Sequence, residues 1–111
     1  MNIYNVRITP QAEEQLEEIL YYITENLNNP DAAEAFVDEF EKEVNKLSKN
    51  PEKHRPIDEE PWGSEGIRKI TIKNYYVYFE IDIEKSIVWV VAIVFAEREQ
   101  NKFLSSINLS L

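Results

Sequence analysis

The 111-residue sequence contains no cysteine, two glycines and one histidine. The absence of cysteine excludes disulfide bonds, thiolate nucleophiles and thiolate metal ligands, and it favours a reducing, cytoplasmic location. Two glycines are too few for a glycine-rich loop that binds phosphate. His54 has no second histidine at zinc-ligand spacing, and we expect it to be a surface loop residue rather than a catalytic base. The sequence therefore predicts no cofactor and no metal.

A long hydrophobic run is also missing from the sequence. The longest, Ile87–Ala96, has ten residues, about half of a membrane span. The segment Met1–Arg7 does not combine a basic end with an apolar stretch, as a signal peptide does. Because 43% of the residues are hydrophobic and 12% are aromatic, we expect a soluble protein with one domain over residues 1–111. Residues 105–111 are expected to form a flexible tail.

The first half of the chain has the pattern of one strand followed by two helices. Residues 3–8 are rich in β-branched and aromatic types and predict a strand. Thr9-Pro10 predicts a helix start, and Asn29-Pro30 predicts a second one that ends near Asn50-Pro51. The short link makes the two helices an antiparallel hairpin. Apolar residues at three-four spacing are expected on the core face of the first helix, which runs to about residue 27: Ala12, Leu16, Ile19, Leu20, Ile23 and Leu27.

The last third of the chain is predicted to be β. Residues 67–73 and 75–83 alternate, and Ile87–Phe95 is continuously apolar, which favours a central strand covered on both faces. Residues 51–66 are proline-rich and predict an irregular loop anchored by Trp62. We expect an α+β fold of order β-α-α-β-β-β. In it, the helical hairpin packs on one face of a four-stranded, mainly antiparallel sheet, with the first strand at its edge or centre. Residues 97–104 follow as a short helix or an irregular cover.

The sheet face opposite the helices is expected to be open. If the alternate residues Ile70, Ile72, Val77, Phe79 and Ile81 pack on the hairpin, the opposite face presents two lysines and two tyrosines: Lys69, Lys73, Tyr76 and Tyr78. Cations between aromatic rings can hold a phosphate backbone and stack a base, although these residue types are also ordinary cross-strand pairs. Arg68 has the parity of the buried isoleucines and is expected in a structural ion pair. Arg98 follows the last strand and could reach the open face.

The charge of the chain is strongly negative and unevenly distributed. Twelve basic residues stand against 21 acidic ones, for a net charge of −9. Residues 11–49 contain three lysines and eleven acidic residues, so a charge of −8 belongs to the predicted helices. This acidic surface is interpreted either as a solvated helix face or as a docking surface for a basic partner.

Several segments in sequence order are similar to one known family. They are Tyr4-x-Val6-x-Ile8-Thr9-Pro10-Gln11-Ala12-Glu13, Leu16-x-x-Ile19, Tyr22-Ile23, Asn50-Pro51-Glu52, Gly66-Ile67-Arg68-Lys69-Ile70, Asn74-Tyr75-Tyr76-Val77-Tyr78-Phe79 and Val88-x-Val90 to Phe95-Ala96-Glu97-Arg98-Glu99-Gln100. In this order and spacing, over roughly residues 3–104, the chain resembles the RelE/ParE toxin superfamily.

The resemblance implies the toxin of a type II toxin–antitoxin system of the plasmid-stabilisation type. Such a toxin inhibits growth by binding an essential target, and a cognate antitoxin neutralises it. ParE-like members block DNA gyrase, whereas RelE-like members are metal-independent endoribonucleases that cut mRNA on the ribosome. A third interpretation is an inactive binding protein that retains the fold. Apolar residues near the C-terminus, among them Phe103 and Leu104, could dock on the antitoxin or on a second copy in a homodimer.

Candidate catalytic residues follow only from the RelE-like alternative. The positions that match its basic and aromatic set are Arg68, Lys69, Lys73, Tyr76 and Arg98. Two positions depart from the RelE-like pattern: Tyr76 stands where arginine is frequent, and Phe103 and Leu104 stand near the expected late tyrosine or histidine. Loss of an acid/base group typically costs about 10²–10⁴ in rate. The resemblance therefore favours a ParE-like or catalytically ambiguous toxin.

Overall fold

The structure, a computed structural model, describes residues 3–96. Its elements are β1 (Asn5–Ile8), α1 (Pro10–Tyr21) continued by a π-helical turn (Tyr22–Asn26), α2 (Pro30–Asn45), short 3₁₀ turns at Lys46–Ser48 and Pro51–Lys53, β2 (Arg68–Ile72), β3 (Tyr75–Asp82) and β4 (Ile87–Phe95). This order confirms the predicted β-α-α-β-β-β fold. The predicted segment 97–104, the tail 105–111 and Arg98 lie outside the described residues.

Both helices begin at the predicted caps. The Thr9 side-chain oxygen accepts a hydrogen bond from the Ala12 N–H at 3.2 Å, and the Asn29 side chain accepts one from the Ala32 N–H at 3.1 Å. A proline occupies the first turn of each helix, where its missing N–H leaves no bond unmade. None of the helices within residues 3–96 combines the length and the hydropathy that a membrane span requires.

The sheet has the strand order β1-β4-β3-β2. β1 lies at one edge and runs parallel to β4, while the other two pairings are antiparallel. The interior strand β4 is covered on both sides, since Val88 and Val90 lie on the helix side and Val91 and Val94 on the other, all four buried. The predicted central position of Ile87–Phe95 is therefore confirmed.

The main core lies between the helical hairpin and the sheet. The ring centres of Phe36 and Tyr75 are 5.1 Å apart, so α2 packs on the first residue of β3. Ile72 and Val77, predicted to face the hairpin, are buried in this core. Burial of aromatic and aliphatic side chains of this size stabilises a fold by about 1.5–3 kcal/mol each, so this layer holds the hairpin on the sheet.

The prediction for Leu27 was wrong, because the end of the first helix has a different period. The Leu27 N–H donates to the Tyr22 carbonyl oxygen at 3.1 Å, five residues back along the chain rather than four. The wider turn carries Leu27 away from the core face that Ile23 still occupies. Leu27 is exposed, whereas Ile23 is buried.

Candidate functional site

The sheet face opposite the helices is covered by residues 57–67, which we call the covering segment. Ile57 and Ile67 pack there against Tyr78, and Trp62 joins the same cluster. Tyr78 is fully buried, with 0% of its surface exposed. The expectation that Tyr78 lies on an open face is therefore wrong, while the predicted anchoring by Trp62 is confirmed. The physical reason is that Val91 and Val94 of β4 also face this side and require a cover.

Backbone hydrogen bonds hold the covering segment together. The Ile57 N–H donates to the Ile67 carbonyl at 2.9 Å, and the Ile67 N–H donates to the Trp62 carbonyl at 3.0 Å. The Gly63 N–H donates to the Glu59 carbonyl at 2.8 Å. A β-carbon built on Gly63 would lie only 2.1 Å from the Ile57 carbonyl oxygen, so only glycine fits there. This close approach brings the two arms of the segment together over Tyr78.

Two of the five candidate catalytic residues touch each other on the covered face. Lys69 and Tyr76 are both half-buried, and the Lys69 ammonium lies 4.0 Å from the centre of the Tyr76 ring. This distance is typical of a cation–π contact. The Tyr76 ring in turn lies edge-on to Tyr78, with ring centres 6.2 Å apart. The pair therefore forms the rim of the covered aromatic cluster.

Arg68 lies on the other side of the sheet from Lys69, because successive side chains of a strand alternate in direction. In the register of β2 and β3, Arg68 is opposite Phe79, whereas Lys69 is opposite Tyr78. Arg68 Nη1 donates to the backbone carbonyl of His54 and, at 3.4 Å, to that of Glu52. The predicted parity of Arg68 is correct, but these carbonyls take the place of the predicted ion pair.

Of the two remaining candidates, Lys73 and Arg98, the structure describes Lys73. Lys73 is exposed in the turn between β2 and β3, where its φ of 53° is left-handed. Arg98 lies outside the described residues. Among the four candidates within residues 3–96, the structure shows a side-chain contact between Lys69 and Tyr76. Among the same residues, no group of three or more histidine, aspartate and glutamate side chains is arranged to hold a metal ion.

His54 is more enclosed than a surface loop residue. Its ring is half-buried and meets Phe79 edge-on, with ring centres 5.8 Å apart. Burial, with smaller effects from Lys53 and Arg68, lowers the pKa of His54 below its usual value. These effects favour the uncharged form of the ring, which packs on the same side of the sheet as Arg68.

An acidic pocket lies at the β3–β4 hairpin, at one end of the sheet. Its volume is about 500 Å³, and its walls include Ile81, Trp89, Glu80 and Asp82. Burial raises the pKa of Glu80, and the neighbouring carboxylates of Glu65 and Asp82 raise it further. The ionised form of Glu80 is therefore disfavoured in the folded protein.

We expect Glu80→Gln to stabilise the protein at neutral pH. A carboxyl group whose pKa is raised by folding binds its proton more tightly in the folded state, so stability falls as the pH rises through the folded pKa. Glutamine removes that ionisation. The gain in the free energy of unfolding over the wild type should be present at about pH 7 and vanish below about pH 4, near the unfolded pKa, as measured by urea denaturation.

The control for this experiment is Glu84→Gln, which changes an exposed carboxylate of the same hairpin. It should alter the free energy of unfolding less than Glu80→Gln at neutral pH. An equal or larger gain for Glu84→Gln would mean that net charge, rather than the surroundings of Glu80, decides the effect.

One exposed feature was missed by the sequence-based predictions. Tyr21, Tyr22 and Leu27 present apolar surface to solvent where the first helix ends. The pattern of residues 10–27 fits a continuous α-helix, which puts Leu27 in the core. A signal for the break is the run Thr24-Glu25-Asn26, since threonine and asparagine are poor helix formers.

Comparisons with known proteins agree with this fold. The family described as "ParE toxin of type II toxin-antitoxin system, parDE" matches residues 6–99. No curated protein sequence matches the chain. A solved structure of a chromosomal ParDE toxin–antitoxin system from P. aeruginosa is similar at a TM-score of 0.69 and 18% identity, covering 86% of this chain and 98% of that one.

Two toxin–antitoxin complexes show the same fold. A RelBE complex from Mycobacterium tuberculosis is similar at a TM-score of 0.57 and 23% identity, over 84% of this chain and 98% of that one. An archaeal RelE–RelB complex from Pyrococcus horikoshii OT3 is similar at a TM-score of 0.57 and 18% identity, and the match covers 87% of this chain and 99% of that one. With the family match over most of its length, the chain belongs to the ParE toxin family of type II toxin–antitoxin systems.

Proposed function

We propose that this toxin inhibits growth by binding an essential protein, DNA gyrase, as the resemblance to ParE-like members implies, and not by cutting mRNA. The observation that supports this most directly is the separation of Arg68 from Lys69. Arg68 is held by backbone carbonyls on the helix side of the sheet, while Lys69 contacts Tyr76 on the other side. A set of cations that stabilises one phosphoryl transition state must converge on one point.

Burial and charge support the same proposal. A bound RNA strand would have to displace the covering segment to reach Tyr78, which is fully buried. Binding to RNA also draws affinity from neutralisation of phosphates by lysine and arginine, and the chain has a net charge of −9. A protein surface as target removes both difficulties, because it requires neither a free aromatic face nor a positive one.

The partner proposed to neutralise the toxin is a cognate antitoxin. Similar solved structures are toxin–antitoxin complexes by their descriptions, and the family is defined by such systems. We further propose that residues 1–111 act as one toxin domain in the cytoplasm, where gyrase and ribosomes are found. Docking of a second copy through the C-terminal apolar residues stays a prediction.

The experiment is induction of the chain in bacteria, with and without the neighbouring candidate antitoxin gene. We expect growth arrest that the antitoxin relieves, gyrase-dependent DNA damage, and no codon-specific 5′ ends on translated mRNA. The purified toxin should inhibit supercoiling by gyrase. Codon-specific cuts would overturn the proposal, and unchanged growth would favour an inactive binding protein.

A second candidate function is mRNA cleavage of the RelE-like kind, and the contact of Lys69 with Tyr76 favours it. A cation beside a phenol is the part of the RelE-like set that does come together. If cleavage is the activity, the double variant Lys69→Ala, Tyr76→Phe should lose about 10²-fold or more in rate. If gyrase is the target, the variant should arrest growth as the wild type does. Lys85→Ala, an exposed lysine of the β3–β4 hairpin, is the matched control.

A further inference from the structure

The tip of the helical hairpin presents an apolar face to solvent. Tyr21, Tyr22 and Leu27, which we call the tip face, are 67%, 48% and 55% exposed. Large apolar residues are rarely grouped on a protein surface without a role in recognition. Tyrosine is also enriched in protein–protein interfaces, because its ring provides contact area and its hydroxyl remains hydrated.

The π-helical turn creates this face. Its hydrogen bond joins the Leu27 N–H to the Tyr22 carbonyl, so Leu27 lies directly one turn after Tyr22. With an ordinary α-helical period, Leu27 would follow Ile23 into the core. Single π-helical turns occur frequently at functional sites. In this one, Leu27 loses a place in the core and adds exposed apolar area beside Tyr22.

The helices that carry the tip face are strongly acidic. Glu17 and Glu18 lie one helical turn before Tyr21 and Tyr22, and both are exposed, as is Glu25. No lysine or arginine occurs between Arg7 and Lys42, a stretch with ten acidic residues. The helix dipole makes the carbonyl end of α1 negative, and no basic residue in the last turn of α1 offsets this potential.

We propose that the tip face docks a basic amphipathic segment of a partner protein. Apolar side chains of that segment pack on Tyr22 and Leu27, and its lysines or arginines pair with Glu17, Glu18 and Glu25. Charge complementarity selects this occupant, because nucleic acids and anionic membranes are repelled by the same carboxylates. The proposal does not depend on gyrase as the target, and its test requires no toxic activity.

The test measures binding of fluorescent synthetic peptides to the full chain by polarisation. The probe is a leucine–lysine peptide patterned as an amphipathic helix, compared with a peptide of the same composition in scrambled order and with a leucine–glutamate peptide. We expect the patterned basic peptide to bind at least about tenfold more tightly than either. Raising NaCl from about 50 to about 300 mM should weaken its binding at least about threefold.

Variants locate the binding on the tip face. The double variant Tyr22→Ser, Leu27→Ser changes exposed side chains and should fold, yet bind the patterned peptide about tenfold more weakly. The control is Ile83→Ser, which alters a residue that is 64% exposed beyond the end of β3. Tyr75, the residue of β3 that α2 contacts, is at the start of that strand. Ile83 follows the opposite end of β3 and is therefore far from the tip. Equal loss in both variants, or equal binding of the scrambled peptide, would overturn the proposal.

Discussion

Replacement of Tyr78 by alanine should lower the free energy of unfolding by about 3–5 kcal/mol, as is typical of a fully buried aromatic side chain. The ring fills the space between β3 and the covering segment, where Ile57 and Ile67 pack on it. Loss of the ring leaves a cavity. The covering segment must then either collapse into this cavity or detach from the sheet. Urea denaturation followed by circular dichroism measures the effect.

Tryptophan fluorescence makes this experiment specific to the covered face. Both tryptophans of the chain, Trp62 and Trp89, pack against the cluster that contains Tyr78. A red shift of their native emission in Tyr78→Ala would show that the covering segment has lifted. Tyr78→Phe, which keeps the ring, should retain the native emission and lose less stability than Tyr78→Ala, about 1 kcal/mol. A native-like stability for Tyr78→Ala would contradict the burial of this face.

Gly63→Ala should destabilise the protein by about 3 kcal/mol, the upper range for overpacking a close contact. The added methyl would stand 2.1 Å from the Ile57 carbonyl oxygen, and this neighbour is backbone that cannot rotate away. The covering segment must then open between residues 57 and 63. The free energy of unfolding and the tryptophan emission should both change.

Gly66→Ala is the matched control within the same segment. Gly66 has a left-handed φ of 90°, but a β-carbon there meets no atom within 4 Å. Alanine at this position costs only the conformational strain, about 1 kcal/mol. If both glycine variants lose equal stability, close approach at Gly63 is not what holds the segment together.

The elements that the sequence predicted correctly are those with a local physical cause. Thr9 and Asn29 mark helix starts because their side chains accept backbone N–H groups within the next three residues. The β4 strand was recognised because an unbroken apolar run requires burial on both faces. These signals act within a few residues along the chain and can therefore be recognised without knowledge of the fold.

The features that were not predicted depend on contacts distant in sequence or on backbone groups. The carbonyls of Glu52 and His54 that bind Arg68 belong to the backbone, which has no residue-type signature. The covering segment has no periodic pattern from which its face could be inferred. Two of the predictions nevertheless conflicted with each other. If β4 is buried on both faces, the sheet face opposite the helices cannot be open. The apolar Val91 and Val94 side of β4 was thus the available signal for a cover.

The parallel pairing of β1 with β4 has a consequence for synthesis of the chain. Within residues 3–96, β1 pairs in the sheet with β4 alone, and Asn5 lies opposite Ile87. β1 therefore stays without this partner until β4 has been synthesised, and a translation product that stops before residue 87 has an unpaired β1. The four-stranded sheet therefore forms only once residues 87–95 have left the ribosome.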